Sequence, residues 1–309
     1  MNNNLQQRPP NHPQKIITPI KTLTIASCFY VLSQAKFPKE QYVEWLTNFL
    51  NIIKYNPHIY LVIYTDSYSY SFLPQLTHSI STVAIRIKSL DQFYMYKYAE
   101  QWRKNHEQNY ALRTTTGWEL NMLWSEKLWF LRDVIKNHAF PDTPFYAWCD
   151  AGYFRNRING PLNERDLHTG NGIGYMHWAN PRKMATLDPT KIYYALVNSN
   201  ARYIHHLKQL IQNKNPYTNL PQRQIPANQV SIGGGFCLLS PNLIDDWCKE
   251  YEYKLEDYFR ANITVKDDQI ILANCIFSHD QNKERFFLIL QTPKTPYDSW
   301  FVFQRFLMS

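Results

Sequence analysis

Apolar residues recur along the chain in two rhythms, short continuous runs and longer stretches at helical spacing. The two alternate. Thr22–Tyr30 (TLTIASCFY) reads as a buried strand, and Lys39–Lys54 (KEQYVEWLTNFLNIIK) as a helix that begins behind Pro38. Ile59–Tyr64 (IYLVIY) is a second strand ending at Thr65-Asp66; a helical segment lies near Tyr70–His78, and Thr82–Ile87 (TVAIRI) is a third strand. The amphipathic stretch Trp118–Ala139 feeds a fourth strand, Phe145–Cys149 (FYAWC), which stops at Asp150-Ala151-Gly152. Beyond it, 156–190 is polar and loop-rich and reads as a mobile wall over a site. Lys191–Val197 reads as a strand, Tyr203–Gln212 as a short helix and 214–228 as a loop. Gln229–Ser240 is an apolar run interrupted by glycines, Asn242–Phe259 and Lys266–Phe277 are helical, and Arg285–Leu290 is strand-like.

Strand runs separated by helical patterns imply βαβ units. The expected fold class is α/β, a Rossmann-like, mostly parallel central sheet flanked by helices. Ligands of such sheets collect beyond the carboxyl ends of the strands. That directs attention to Tyr30 and Asp66, which end the first two strands.

The 309 residues suffice for one large α/β domain or two small ones. Residues 1–18 are rich in Asn, Gln and Pro and read as a disordered or loosely docked tail; 19–309 are taken as a single domain. The net charge of +8 favours polyanionic partners such as nucleotide diphosphates or acidic glycans. No dense Lys/Arg run accompanies it, so stable nucleic-acid binding is not expected. Aromatic residues reach 16%, with Tyr foremost, a residue that serves core packing or sugar stacking. Cys28, Cys149, Cys237, Cys248 and Cys275 are odd in number, form no Cys-x-x-Cys pair and lie in mostly apolar surroundings, as buried thiols of a reducing compartment do. No apolar run approaches the roughly 18–20 residues of a membrane span. With a polar N-terminus, the expectation is a chain without a transmembrane segment, cytoplasmic in character.

Four local constellations could carry chemistry. Asp150 follows an apolar strand, where a carboxylate leaves the sheet unburied; it either caps the next turn or holds a hard cation such as Mn²⁺ or Mg²⁺ against a diphosphate. Gly152 would let backbone approach a ligand. Gly233, Gly234 and Gly235 weaken a strand, and mark either a β-bulge or a close approach to ligand. Asp267-Asp268-Gln269 opens a helical pattern; acids suit a helix N-terminus, and the adjacent Gln adds a group able to grip hydroxyls. Lys127 interrupts an aromatic helix, and reaches either solvent over that surface or a phosphate. Arg155 is a surface guanidinium or a bidentate phosphate grip. Of the histidines, His205 and His206 point to different sides of any helix, and His279 alone comes late in the chain, as a surface residue or a metal ligand.

Together these residues resemble the HtrL/YibB family of glycosyltransferase-like proteins. The resemblance runs through Thr24–Tyr30, Tyr42–Leu46, Tyr64-Thr65-Asp66, Leu123–Lys127, Trp148–Arg155, Gly233–Phe236 and Asp267-Asp268-Gln269. It covers roughly 20–290. It implies a GT-A type fold that binds a UDP- or GDP-sugar donor with Mn²⁺ or Mg²⁺ and transfers the sugar to a glycan acceptor. On that implication Asp150 holds the metal, and Asp268 and Gln269 stand at the reacting sugar. Ser27, Tyr30, Thr65, Asp66, Lys127, Ala151, Gly152, Arg155 and Gly233–Gly235 join Asp150 around the nucleotide sugar. One departure matters: the usual acidic motif has two aspartates around one residue, and here Gly152 stands in place of the second. A missing ligand must come from elsewhere, with His279 or water as candidates. The reduced motif also keeps open a catalytically inactive nucleotide-sugar- or glycan-binding module; the positive charge keeps open a basic nucleic-acid-binding protein, which strongly salt-dependent oligonucleotide binding would reveal.

Overall fold

The computed structural model describes residues 21–155, 178–278, 282–291 and 298–308. The N-terminal tail, His279 and most of the loop-rich stretch, 156–177, lie outside these. The strands are β1 (Leu23–Cys28), β2 (Ile59–Thr65), β3 (Val83–Ile87), β4 (Phe145–Cys149), β5 (Ile192–Leu196), β6 (Ile232–Leu239) and β7 (Phe286–Leu290). The longer helices are α1 (Lys39–Tyr55), α2 (Ala99–Gln108), α3 (Trp118–Asn137), α4 (Ala201–Gln212), α5 (Ile244–Arg260) and α6 (Asp268–Phe277). One seven-stranded sheet results, in the order β3-β2-β1-β4-β6-β5-β7. Only β6 runs antiparallel to its neighbours.

Both faces of this sheet are covered, which explains why its strands read as continuous apolar runs. Along β4 the pleat sends Phe145, Ala147 and Cys149 into one core and Tyr146 and Trp148 into the other. The first core is closed by α1, whose Leu46, Phe49, Leu50 and Ile53 repeat at helical spacing, and by Val302 and Phe303 near the C-terminus. α1 starts directly after Pro38 and ends at Asn56, whose side chain donates to Ile52 O at 2.7 Å.

The second core is built around α3. Thirteen of its twenty residues are buried, because it is wedged between the sheet and a further layer formed by α2 and α5. A helix buried on so many sides must satisfy its polar residues internally. Glu126 does so by accepting Lys88 Nζ at 3.1 Å and the backbone N–H groups of Tyr94 and Met95 at 2.9 Å each. Those bonds hold the short 3₁₀ turns between 90 and 98, a region where the apolar pattern shows no element, as it shows none for α2. The helix expected near Tyr70–His78 is two single turns instead, Ser67–Tyr70 and Gln75–His78, separated at Pro74.

Phe130 links the layers: its ring meets Tyr30, Tyr64, Phe93 and Trp148 within 6.3 Å. Phe130→Ala is expected to destabilise the fold by about 3–5 kcal/mol, read as a lower midpoint in urea unfolding.

Candidate functional site

From β1 the chain winds outward through β2 to β3, then crosses back to lay β4 on the other side of β1. Connections therefore leave β1 and β4 in opposite directions and open a crevice at their carboxyl ends. A cavity of about 270 Å³ lies there, lined by Cys28, Phe29 and Tyr30 after β1 and by Trp148, Asp150 and Ala151 around the end of β4. It continues into a hollow of about 380 Å³ that shares Phe29, Tyr30, Phe37 and Tyr42.

At the cavity floor α3, β4, β6 and α6 converge on one ammonium. Lys127 Nζ lies 3.2 Å from Asp150 Oδ1, 3.0 Å from Asp268 Oδ2 and 2.9 Å from Gly234 O. An ammonium has three N–H donors, and here each has an acceptor. Asp150 is aimed from two sides: its N–H donates to Gly235 O at 2.9 Å, and Trp148 Nε1 donates to its Oδ1 at 2.7 Å. Asp268 opens α6, and the approach to it is tied down by asparagines. Asn105 exchanges hydrogen bonds with both backbone groups of Val265, Asn121 donates to Val265 O and Lys266 O, and Asn109 donates to Lys266 O. Asp267 caps the helix only by position, its carboxylate pairing with Lys266 Nζ at 2.8 Å.

The electrostatics follow from burial. Desolvation works to lower the Lys127 pKa, but the carboxylates of Asp150 and Asp268 outweigh it and hold the ammonium well above its ordinary range. Burial pushes Asp268 up to about 6; Lys127 pulls it down and Asp267 adds to the rise. Lys127 thus keeps its proton, and the titrating member of the pair is Asp268.

Two glycines are explained by the same crowding. A Cβ on Gly234 would stand 2.7 Å from Asp268 Oδ2, and one on Gly152 would stand 2.7 Å from Trp45 Cε3. The triple glycine is part of β6, where the pairing with β5 jumps from Tyr194↔Cys237 to Ala195↔Gly233. It is a bulge and a close approach at once, and the substituents it admits are the site's own carboxylates.

Of the residues singled out in the sequence, Tyr30, Lys127, Asp150, Ala151, Gly152, Arg155, Gly234, Gly235, Asp268 and Gln269 share the cavity wall. Four do not reach it. Ser27 is fully buried in β1, and Thr65 donates to Phe29 O at 2.7 Å. Asp66 accepts Ser69 N–H at 2.6 Å as the cap of the turn Ser67–Tyr70, and Gly233 packs toward Val197 and Ala195. Gln269 spends its amide on Ile232 O of β6 at 2.7 Å. The Arg155 guanidinium lies over the rings of Trp45 and Phe301. Lys36, Phe37 and Trp300 also line the cavity, and none of them breaks its local pattern; Trp124 and Trp148, which the quoted segments contain, line it as well.

No protein-family model and no curated protein matches the chain. A solved structure, the apo form of mouse xyloside xylosyltransferase 1, is similar at 15% sequence identity over 87% of this chain and 85% of that one, with a TM-score of 0.44. A likeness of this size carries no argument about activity. The HtrL/YibB family is not shown by these comparisons.

The donor set around Asp150 suits an ammonium better than the expected Mn²⁺ or Mg²⁺. Asp150 Oδ1 accepts the Trp148 indole and lies 3.2 Å from Lys127 Nζ, which donates to Asp150 Oδ2 at 3.5 Å and to Asp268 Oδ2 at 3.0 Å. Asp267 Oδ1 is buried without a hydrogen-bond partner, but its carboxylate is tied to Lys266. Among the described residues no three His, Cys, Asp or Glu side chains come together as a metal-binding group. No described helix is long and apolar enough to cross a membrane.

Gly234→Ala is expected to displace the Asp268 carboxylate and cost about 1–3 kcal/mol. Gly233→Ala, whose Cβ would meet a Val197 methyl at 3.1 Å, costs less. Thermal unfolding of the two variants side by side reads the difference.

Proposed function

We propose that the chain is a glycosyltransferase of GT-A type, moving a sugar from a UDP- or GDP-sugar to a hydroxyl of a glycan acceptor. The observation that carries this reading is the Lys127–Asp150–Asp268 cluster on the floor of a crevice at the sheet's switch point. The HtrL/YibB resemblance supports it, since residues of its most specific piece, Leu123–Lys127 and Trp148–Arg155, and of the later Gly233–Phe236 and Asp267-Asp268-Gln269 line this crevice. The adjoining hollow between Tyr30, Phe37 and Tyr42 adds about 380 Å³ of space beside the cavity.

In the proposed reaction the acceptor oxygen bonds to the anomeric carbon while the bond from that carbon to the diphosphate oxygen breaks. The electron pair leaves with the diphosphate. Arg155, on the cavity wall, supplies positive charge where the leaving group gains negative charge, and Lys127 keeps Asp150 and Asp268 from repelling each other. In an inverting transfer the hydroxyl proton passes to Asp268. In a retaining transfer Asp268 and Gln269 flank the anomeric carbon and take no proton.

A donor screen by mass spectrometry tests the reading. Turnover of one nucleotide sugar is expected, reduced about 100-fold or more in Asp150→Ala; unchanged turnover in that variant would remove Asp150 from the site. The gap left by Gly152 in the acidic motif favours a second reading, a binding module without catalysis, and binding of the donor with no turnover would establish it. The carboxylate form of Asp268 declines below about pH 6. An inverting rate that needs this base should therefore fall about tenfold per pH unit on the acid side, measured as a pH–rate profile; a flat profile from pH 7 to 5 would take the proton away from Asp268.

A further inference from the structure

The expected divalent cation and the observed donor set disagree at one point in space. The oxygens that would hold a metal ion converge instead on a side chain of the protein. Lys127 Nζ has Asp150 Oδ1, Asp268 Oδ2 and Gly234 O at 3.2, 3.0 and 2.9 Å, three oxygens from three separate elements. It is 8% exposed and sits on the buried helix α3, at the floor of the cavity. A dication brought to Asp150 would meet this ammonium within a few ångströms, on a carboxylate that is 37% exposed, and like charges at that distance repel.

We propose that Lys127 takes the place of the divalent metal ion in this site, its ammonium holding Asp150 and Asp268 together as the resident cation. The charge around the cavity agrees. Lys36, Lys127 and Arg155 line it together with Asp150, Asp267 and Asp268, and Lys266, outside the lining, pairs with Asp267, so an anionic diphosphate meets three cations against two remaining carboxylates. That role toward a diphosphate rests on the transferase reading. The statement about the cation does not.

Removing the ammonium should uncover what it occupies. Without it, two carboxylates and a backbone carbonyl surround a space of cation size, a hard oxygen set suited to Mn²⁺. The experiment is a titration of Mn²⁺ into the full chain, followed by the electron paramagnetic resonance signal of the free ion. It is repeated with UDP and with GDP, each against the same nucleotide without protein. Wild type is expected to leave the free-ion signal unchanged in all three. Lys127→Met is expected to bind one Mn²⁺ at least about tenfold more tightly than wild type, at a site that adding Asp150→Asn removes.

Stoichiometric Mn²⁺ binding by wild type that Asp150→Asn abolishes overturns the proposal, as does a folded Lys127→Met that binds no better than wild type. If far-UV circular dichroism shows Lys127→Met unfolded, wild type against Asp150→Asn decides by the same signal. Calorimetry on the same samples reads nucleotide binding. Its absence counts against the transferase reading and leaves the Mn²⁺ comparison standing.

Discussion

A buried ammonium can persist only where carboxylates offset the cost of its desolvation, and that constraint organises this molecule around Lys127. The residue lies on a helix thirteen of whose twenty residues are buried. Its two carboxylate partners arrive from opposite directions, Asp150 off the end of β4 and Asp268 at the first turn of α6. Remove Lys127 and the buried Asp268 faces the partly exposed Asp150 with no cation between them. The sheet, the long helix and the chain leading into α6 are therefore bound to one another through a polar contact rather than through apolar packing alone.

Much of the surrounding structure serves to deliver those groups. Trp148 belongs to the second core by its ring, stacked on Phe130, and to the site by its indole N–H, which turns Asp150 toward Lys127. Three asparagines, Asn105 on α2, Asn109 just after it and Asn121 on α3, hold the backbone of Val265 and Lys266 and so set where Asp268 emerges. Gly234 lies so close to the Asp268 carboxylate that any side chain would push it away. Packing, hydrogen bonding and an absent Cβ act on the same few atoms.

The crevice itself is a consequence of topology. Because β4 returns to the side of β1 away from β2, loops part at that point and leave the carboxyl ends of both strands open to ligand. The antiparallel strand β6 then brings its glycine bulge against the tip of β4, closing the floor that β1 and β4 leave open. Aromatic side chains from the segment before α1 and from Trp300 complete the walls.

The elements with unbroken apolar rhythm were legible in the chain alone. β1, β2, β4 and the helices α1 and α3 lie within a residue or two of where the pattern puts them, since burial on both faces of a sheet leaves a run that little else imitates. Asp150, Lys127, Gly234 and Asp268 could be named because each breaks its local pattern: a carboxylate at a strand tip, a cation in an aromatic helix, glycines inside a strand. What no local pattern contains is that these breaks meet. Asp66 breaks a pattern too, yet it caps a turn, because its partner is three residues away; Lys127 and Asp268 are 141 residues apart and touch. Neighbouring residues decide periodicity and capping, and those local rules reach as far as the layers and the list of candidates. Which candidates share a site depends on how strands are ordered and where the chain crosses back, a long-range property that appears only once the chain is folded.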